Sequence, residues 1–446
     1  MSRVALIGEN SISYISALID IWNNGDCAVL LDRQIPFQVA VNIMVEAGVH
    51  QCYIERELLE SAKEQSGDDI EFISYDLFDQ SIQLLPNDIY DKFQANYTAR
   101  EAVIVYSSET VDQERGVILS HFAINKKADA MIDYIKVSAT DRIYVAQPLS
   151  HASTLIGELL VALKARISLI IAPRVLSPSC VLSNIRKSGA TIAFLNSAQL
   201  SSCADEYSQH QTCKTSLRAI YVNGTAMTDE THEKAQVAFD NIPIYNTYGK
   251  MEAASYVTAQ RPFCYGRNSV GKPLKGIEIT IVNANGRVAP VNQHGIIHIR
   301  TIAMFSGYVT GGVRFPSLYR NWFNTGDIGY FDCNHELHIV CHIDDEITIC
   351  SKKVYPNFVE QQISKLSQID ESVVVKISLD ETAFLACVYT GQEQNRDEIY
   401  RHLSDRLLSY EIPRIFLRVN EIPRNINGKP DRGKIQELIT EQVSSN

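Results

Sequence analysis

The sequence predicts an α/β protein: a large N-terminal domain of layered α/β subdomains with a small β subdomain, followed by a small α+β C-terminal domain. Three observations predict this. The chain has 446 residues, more than the roughly 250–300 at which one hydrophobic core stops growing, so at least two domains are expected. Its first half alternates short apolar runs with amphipathic stretches, and its pattern changes twice in the second half.

Residues 4–7 read as a strand, 11–23 as a helix, 27–31 as a strand, and the stretch through Met44 as a helix. This βαβα succession implies a mostly parallel sheet with helices on its faces. Further strands are expected at 102–106, 142–145, 167–171, 191–195 and 219–222. From about Gly276 short strands with turn signals take over, as in IEITIV at 277–282 followed by NANG, which predicts the β subdomain over 276–343. Beyond Ile343 the expectation is a strand at 346–349, a helix opened by Pro356, strands near 373–377 and 383–389, and helices near 398–408 and 432–441. The domains are thus expected at 1–343, with its layered part over 1–275, and at 344–446, joined by a short hinge near Ile343-Asp344-Asp345.

Composition narrows the function classes. With 45% hydrophobic and 21% charged residues, the chain has ample apolar surface for a packed core. A net charge of −11 argues against nucleic acid as a partner, because a phosphate-backbone binder needs clustered Lys and Arg. No apolar run approaches the roughly 20 residues that cross a bilayer, and the start MSRVALIGEN lacks a signal peptide's apolar core, so a cytoplasmic protein with no membrane span is expected. The ten cysteines are scattered without a CxxC pair and read as reduced, mostly core thiols. His335, His338 and His342 fall in a turn and strand whose spacing does not put three imidazoles on one face, so no metal site is expected there.

Four segments carry chemistry. YSSETVDQERG at 106–116 follows a predicted strand, and its hydroxyls Ser107, Ser108 and Thr110 and the cation Arg115 can grip anionic oxygens. NTYGKME at 246–252 follows a strand expected at 242–245; Tyr248 can stack on a base and Glu252 can hold Mg²⁺. NTGD at 324–327 places Asp327 at an expected tight glycine turn, where a carboxylate can accept two hydrogen bonds from a ribose diol. NGKPDR at 427–432 exposes Lys429 on a loop before the last helix. Taken singly, each also fits a plain surface turn.

Their order and spacing together resemble the superfamily of adenylate-forming enzymes: acyl-CoA synthetases, luciferases and the adenylation domains of nonribosomal peptide synthesis. The resemblance runs from VALIGENS at 4–11 through SVGKPLKG at 269–276 to NGKPDR at 427–432. It implies ATP and Mg²⁺, a carboxylic acid substrate, and an acyl-adenylate passed to the phosphopantetheine thiol of an acyl or aryl carrier protein, with CoA as the alternative acceptor. It implies that Ser107, Ser108, Thr110, Arg115, Asn246, Tyr248, Gly249, Asp327 and His342 bind ATP, with Tyr248 on adenine and Asp327 on the ribose. Glu252 would ligate Mg²⁺, Lys429 would bridge carboxylate and phosphate, and Asp344 would be the hinge. His151 and Gly224 would meet the acid; PLSHASTL at 148–155 has no carboxylate to pair an α-amino group, which points to an aryl or acyl acid.

The sequence also departs from the family pattern. In the phosphate loop Glu109 and Asp112 replace both early glycines, Glu114 a proline and Arg115 a lysine. Met251 stands for a threonine, His342 for a ribose-binding arginine and Ser351 for a glycine. Several dozen residues that the family carries ahead of the counterpart of Val4 have no equivalent, so part of the first subdomain is expected to be smaller or supplied otherwise. Carboxylates beside phosphate oxygens oppose binding. The competing expectation is therefore a scaffold that binds a partner without turning over ATP, against which stands the joint presence of Glu252, Asp327 and Lys429.

Overall fold

The computed structural model describes the chain except for residues 67–69, 77–81, 107–114, 173–176, 210–214, 225–226, 228, 262–268, 284, 310–317, 320, 344–346, 350–351, 380–381, 405, 425–429 and 445–446. Two compact units result: one of Met1–Thr280, His298–Asn324 and Asp332–His338, the other of Ile281–Ile297, Thr325–Phe331 and Ile339–Asn446.

The first unit holds two sheets. In the seven-stranded one, Arg3–Ile7 lies between Cys27–Leu31 and Gln51–Glu55 with all pairs parallel, and Glu71–Tyr75 extends the far side. Glu101–Val105 pairs parallel with Cys27–Leu31, and Gly116–Ser120 turns back antiparallel. The other edge is Gly307–Val309, antiparallel to Gly116–Ser120. The strands Cys27–Leu31, Glu101–Val105 and Gly116–Ser120 are buried at every position, which is why they read as continuous apolar runs rather than alternating ones. Helices start where hydroxyls cap them: Ser11 Oγ accepts the Tyr14 N–H at 3.0 Å and Ser120 Oγ the Ala123 N–H at 3.1 Å, each cap worth about 1 kcal/mol.

The eight-stranded sheet is parallel at its centre, where Arg142–Val145, Ser168–Ile171, Ile192–Asn196, Ala219–Asn223 and Ile244–Lys250 lie side by side. Gln83–Leu84 closes one edge antiparallel, and Ser255–Ala259 followed by Lys272–Pro273 the other. The helical run after Arg142–Val145 passes through a π-helix at Leu155–Leu160, which the sequence pattern did not disclose. Among the described residues, five strands between residues 277 and 342 form a further sheet.

In the second unit Ile369–Leu379, Thr382–Gly391 and Ile415–Arg418 form a three-stranded sheet covered on both faces. Val373, Val375 and Ile377 join Ile435 and Ile439 of the last helix, whereas Val374, Leu385 and Cys387 pack with Val359, Ile363, Ile399 and Leu403 on the opposite side. That division follows from the two-residue side-chain period of a strand.

Two sequence expectations need correcting. The stretch 246–250 lies inside the strand Ile244–Lys250 rather than after it, and Asp327 lies within the ten-residue strand Trp322–Phe331 rather than at a tight turn. In both, a backbone irregularity imitates a turn: a register shift between Tyr248 and Gly249, and Gly326 at φ +72°. Of the seven described cysteines, Cys27, Cys52, Cys203, Cys341 and Cys387 are buried. Among the described residues no helix is long and apolar enough to cross a membrane.

Candidate active site

In the first unit the site grows from the C-terminal ends of the parallel strands of the eight-stranded sheet, where ligands bind in open α/β folds. Ala219–Asn223 ends at Gly224, whose φ of +90° and open surroundings leave its backbone bare. Ile244–Lys250 ends in a short 3₁₀ turn, Met251–Ala253, that presents Glu252. Asn246 is fixed from both sides, its N–H donating to Gln260 Oε1 at 2.8 Å and its Nδ2 to the Ser269 carbonyl at 3.2 Å. Thr247 Oγ1 donates to the Val222 carbonyl at 2.8 Å and ties this strand to its neighbour. Gly249 is required by packing, because a Cβ there would stand 2.5 Å from the Ser255 carbonyl oxygen, which belongs to the paired strand's backbone and cannot swing away.

Glu252 is held twice by one segment. The Phe305 N–H donates to its backbone carbonyl at 2.7 Å, and the Tyr308 hydroxyl donates to its Oε1 at 2.7 Å. The Arg115 guanidinium carbon lies 5.9 Å from the centre of the Tyr308 ring, so the cation at the end of the 106–116 segment and the carboxylate meet at one tyrosine. His151 follows Arg142–Val145 and lies 3.7 Å by Nε2 from Asp32 Oδ2.

Two ionisable groups nearby escaped the sequence reading. Lys127, fully buried on the helix His121–Ile135, donates by Nζ to the Tyr256 carbonyl at 2.6 Å, and burial lowers its pKa to about 7. Glu158 sits on the π-helix with both carboxyl oxygens buried and without a hydrogen-bond partner. Burial pushes its pKa well above the carboxylate range, and the Thr154 hydroxyl close by offsets only part of that. An amphipathic reading places charged side chains on solvent faces, which is why neither stood out.

In the second unit, Thr325 Oγ1 donates to the Ile297 carbonyl at 2.9 Å and accepts the Asp327 N–H at 3.0 Å, setting the backbone that presents Asp327. A Cβ on Gly326 would come within 2.5 Å of His342 Nε2, so the imidazole lies against this glycine. Asp327 and His342, both expected at the ribose, are brought to one place. Ser107, Ser108, Thr110, Asp344, Ser351 and Lys429 lie outside the described residues. Residues 425–429 are flanked by an antiparallel bridge between Arg424 and Pro430 and by the Asp431 N–H donating to the Pro423 carbonyl at 2.8 Å.

Among the described residues no three His, Cys, Asp or Glu side chains gather into a metal cage. Glu252 nevertheless supplies a hard oxygen donor of the kind Mg²⁺ takes when substrate phosphates complete its shell, and Oε1 is the oxygen that Tyr308 occupies. The residues fit such an ion.

Comparison with known proteins adds the rest. A family model described as AMP-binding enzyme matches residues 1–309. A putative long chain fatty acid-CoA ligase, VraA, of Staphylococcus haemolyticus is 31% identical over 234 residues, 52% of this chain and 48% of that protein. Tyrocidine synthase 3 of Brevibacillus parabrevis is 22% identical over 99% of this chain and 7% of its own length. The chain thus spans half or less of these two relatives. The structure of O-succinylbenzoate coenzyme A synthetase (MenE) from Bacillus subtilis in complex with ATP and magnesium ion superimposes with a TM-score of 0.79 at 21% identity, covering 97% of this chain and 89% of that one.

Proposed function

The chain belongs to the AMP-binding enzyme family, and on that premise we propose that it uses ATP to convert a carboxylic acid into an acyl-adenylate and passes the acyl group to a pantetheine thiol. The observation that carries this reading is the fixed Glu252 carboxylate, tied through Tyr308 to the strand that follows the phosphate-loop segment. Tyr248 stacks on adenine, Asn246 and Gly249 shape its backbone, and Asp327 accepts from the ribose hydroxyls with His342 in place of a cation. Glu252 would hold Mg²⁺, which would supply neutralisation of phosphate charge. Ser107, Ser108, Thr110 and Arg115 grip the phosphates.

In the first half-reaction a carboxylate oxygen of the acid attacks the α-phosphorus in line, the bond to the bridging oxygen breaks, and pyrophosphate leaves. Catalysis is then mostly positioning and charge complementarity, with Lys429 between carboxylate and phosphate. In the second, a thiol sulfur attacks the acyl carbonyl, AMP leaves with the anhydride oxygen, and the thiol proton passes to solvent. Residues 344–446 move as a lid about Asp344, carrying Lys429 in and out.

His151 and Gly224 line the acid's site, and without a carboxylate at 148–155 an aryl or acyl acid fits better than an α-amino acid. The fatty acid-CoA ligase relative favours CoA as acceptor, whereas the match of 99% of this chain to 7% of a tyrocidine synthase favours a carrier-borne thiol. A pyrophosphate-release screen over aromatic, fatty and amino acids, with CoA or holo carrier protein supplied, tests this. The expected result is release with aryl or acyl acids and a thioester on one acceptor; no release with any acid at saturating MgATP would leave the scaffold reading standing.

A further inference from the structure

Tyr308 belongs to none of the segments that the sequence singled out, yet it touches two of the candidate site groups. Its hydroxyl donates to Glu252 Oε1 at 2.7 Å, and the Arg115 guanidinium lies over its ring. The ring itself is set by its surroundings. Phe305 meets it edge-on, with centroids 4.9 Å apart, and Phe323 meets Phe305 in the same way at 5.6 Å. The backbone is fixed as well, because Tyr308 pairs with Val117 in the strand directly after Arg115, and the Ser306 N–H donates to the Ile118 carbonyl at 2.8 Å.

From this geometry we propose that Tyr308 is the positioning residue for Glu252. It engages Oε1 and so turns Oε2 toward the divalent cation of the nucleotide. A Glu side chain has three rotatable bonds and would otherwise sample several directions; a donor on one carboxylate oxygen selects one of them, as second-shell partners do at metal sites. Arg115 acts on the same ring, so the loop cation and the metal carboxylate are oriented together. The inference rests on the assignment of Glu252 to the metal, and the experiment separates the two.

The probe is Mn²⁺, titrated by electron paramagnetic resonance into the full chain with α,β-methylene-ATP present. Tyr308→Phe keeps the ring packing and removes only the hydroxyl. It is expected to weaken Mn²⁺ binding roughly 10–100-fold, while affinity for the nucleotide in EDTA and the thermal midpoint stay unchanged. Glu252→Gln weakens Mn²⁺ at least as much, and adding Tyr308→Phe to it costs nothing more, because the hydroxyl then has no carboxylate to orient. If Tyr308→Phe leaves Mn²⁺ binding within twofold of wild type while Glu252→Gln weakens it, the role of Tyr308 is overturned and the metal assignment stands. If Glu252→Gln is also without effect, the metal assignment falls and the inference with it. Equal loss of metal-free nucleotide binding in Tyr308→Phe would reduce the residue to a packing role and overturn the proposal.

Discussion

Lys127→Met tests the energetics of the first unit's interior. The Lys127 side chain is fully buried, and its pKa falls from 10.5 to about 7 because burial penalises the ammonium. At about 1.4 kcal/mol per pH unit, keeping that group protonated in the folded state costs about 5 kcal/mol below pH 7. Methionine has nearly the same shape and no charge, so the variant escapes this cost. Against that stands the Tyr256 carbonyl, which loses its 2.6 Å donor and with it about 1–3 kcal/mol. The charge term is the larger, and Lys127→Met is expected to be about 2–4 kcal/mol more stable than wild type at pH 6.

The pH dependence follows from linkage. Between pH 7 and 10.5 the unfolded chain holds a proton on this lysine that the folded chain has released, so wild-type stability rises with pH over that window. The advantage of the variant therefore shrinks by about 1.4 kcal/mol for each pH unit above 7. Both tryptophans, Trp22 and Trp322, lie in the first unit, so urea unfolding followed by their fluorescence reads the unit that contains Lys127. Midpoints for both proteins at pH 6, 7, 8 and 9 give the difference curve. A difference that stays constant with pH, or a variant less stable than wild type at pH 6, would refute the reasoning.

Further outcomes are expected at the other buried groups and at the site. Glu158→Gln should raise the thermal midpoint at pH 7 and leave it unchanged at pH 4, because the folded state keeps a proton that the unfolded state releases above about 4.5, and stability falls as pH rises from there; equal midpoint shifts at both pH values would count against a buried neutral acid. Gly326→Ala must adopt φ +72° and push a methyl toward His342, so KM for ATP should rise roughly tenfold, as for a loss of about 1.4 kcal/mol of binding, with little change in KM for the acid; an unchanged KM for ATP would remove Asp327 and His342 from the nucleotide site. Lys429→Ala should abolish ATP–pyrophosphate exchange yet leave thioester formation from supplied acyl-adenylate largely intact, and equal loss in both half-reactions would contradict the moving-lid account.

The parts of the fold legible in the sequence were those whose burial leaves a mark on residue type. CAVLL at 27–31 and RIYV at 142–145 could be bounded because central parallel strands are apolar on both faces. Glu71–Tyr75, at an edge and half exposed, carries a mixed pattern and went unread. Asp327 was found as a functional candidate although its local structure was misread, since a positive-φ glycine marks a turn and a kinked strand equally well. Tyr308 was invisible for another reason. Its significance lies in a hydrogen bond to a residue 56 positions away, and a single tyrosine carries no trace of a partner at that distance.

The edge strand Gly307–Val309 closes the sheet beside Gly116–Ser120 although some 190 residues separate them along the chain. A ribosome adding about 5–20 residues per second needs roughly 10–40 s to make that stretch. Throughout that interval the nascent polypeptide displays an unsatisfied strand rim next to the phosphate-loop segment, the kind of surface that templates aggregation. That corner of the sheet is therefore completed late in translation, and chains truncated before Gly307 should depend on chaperones to stay dispersed.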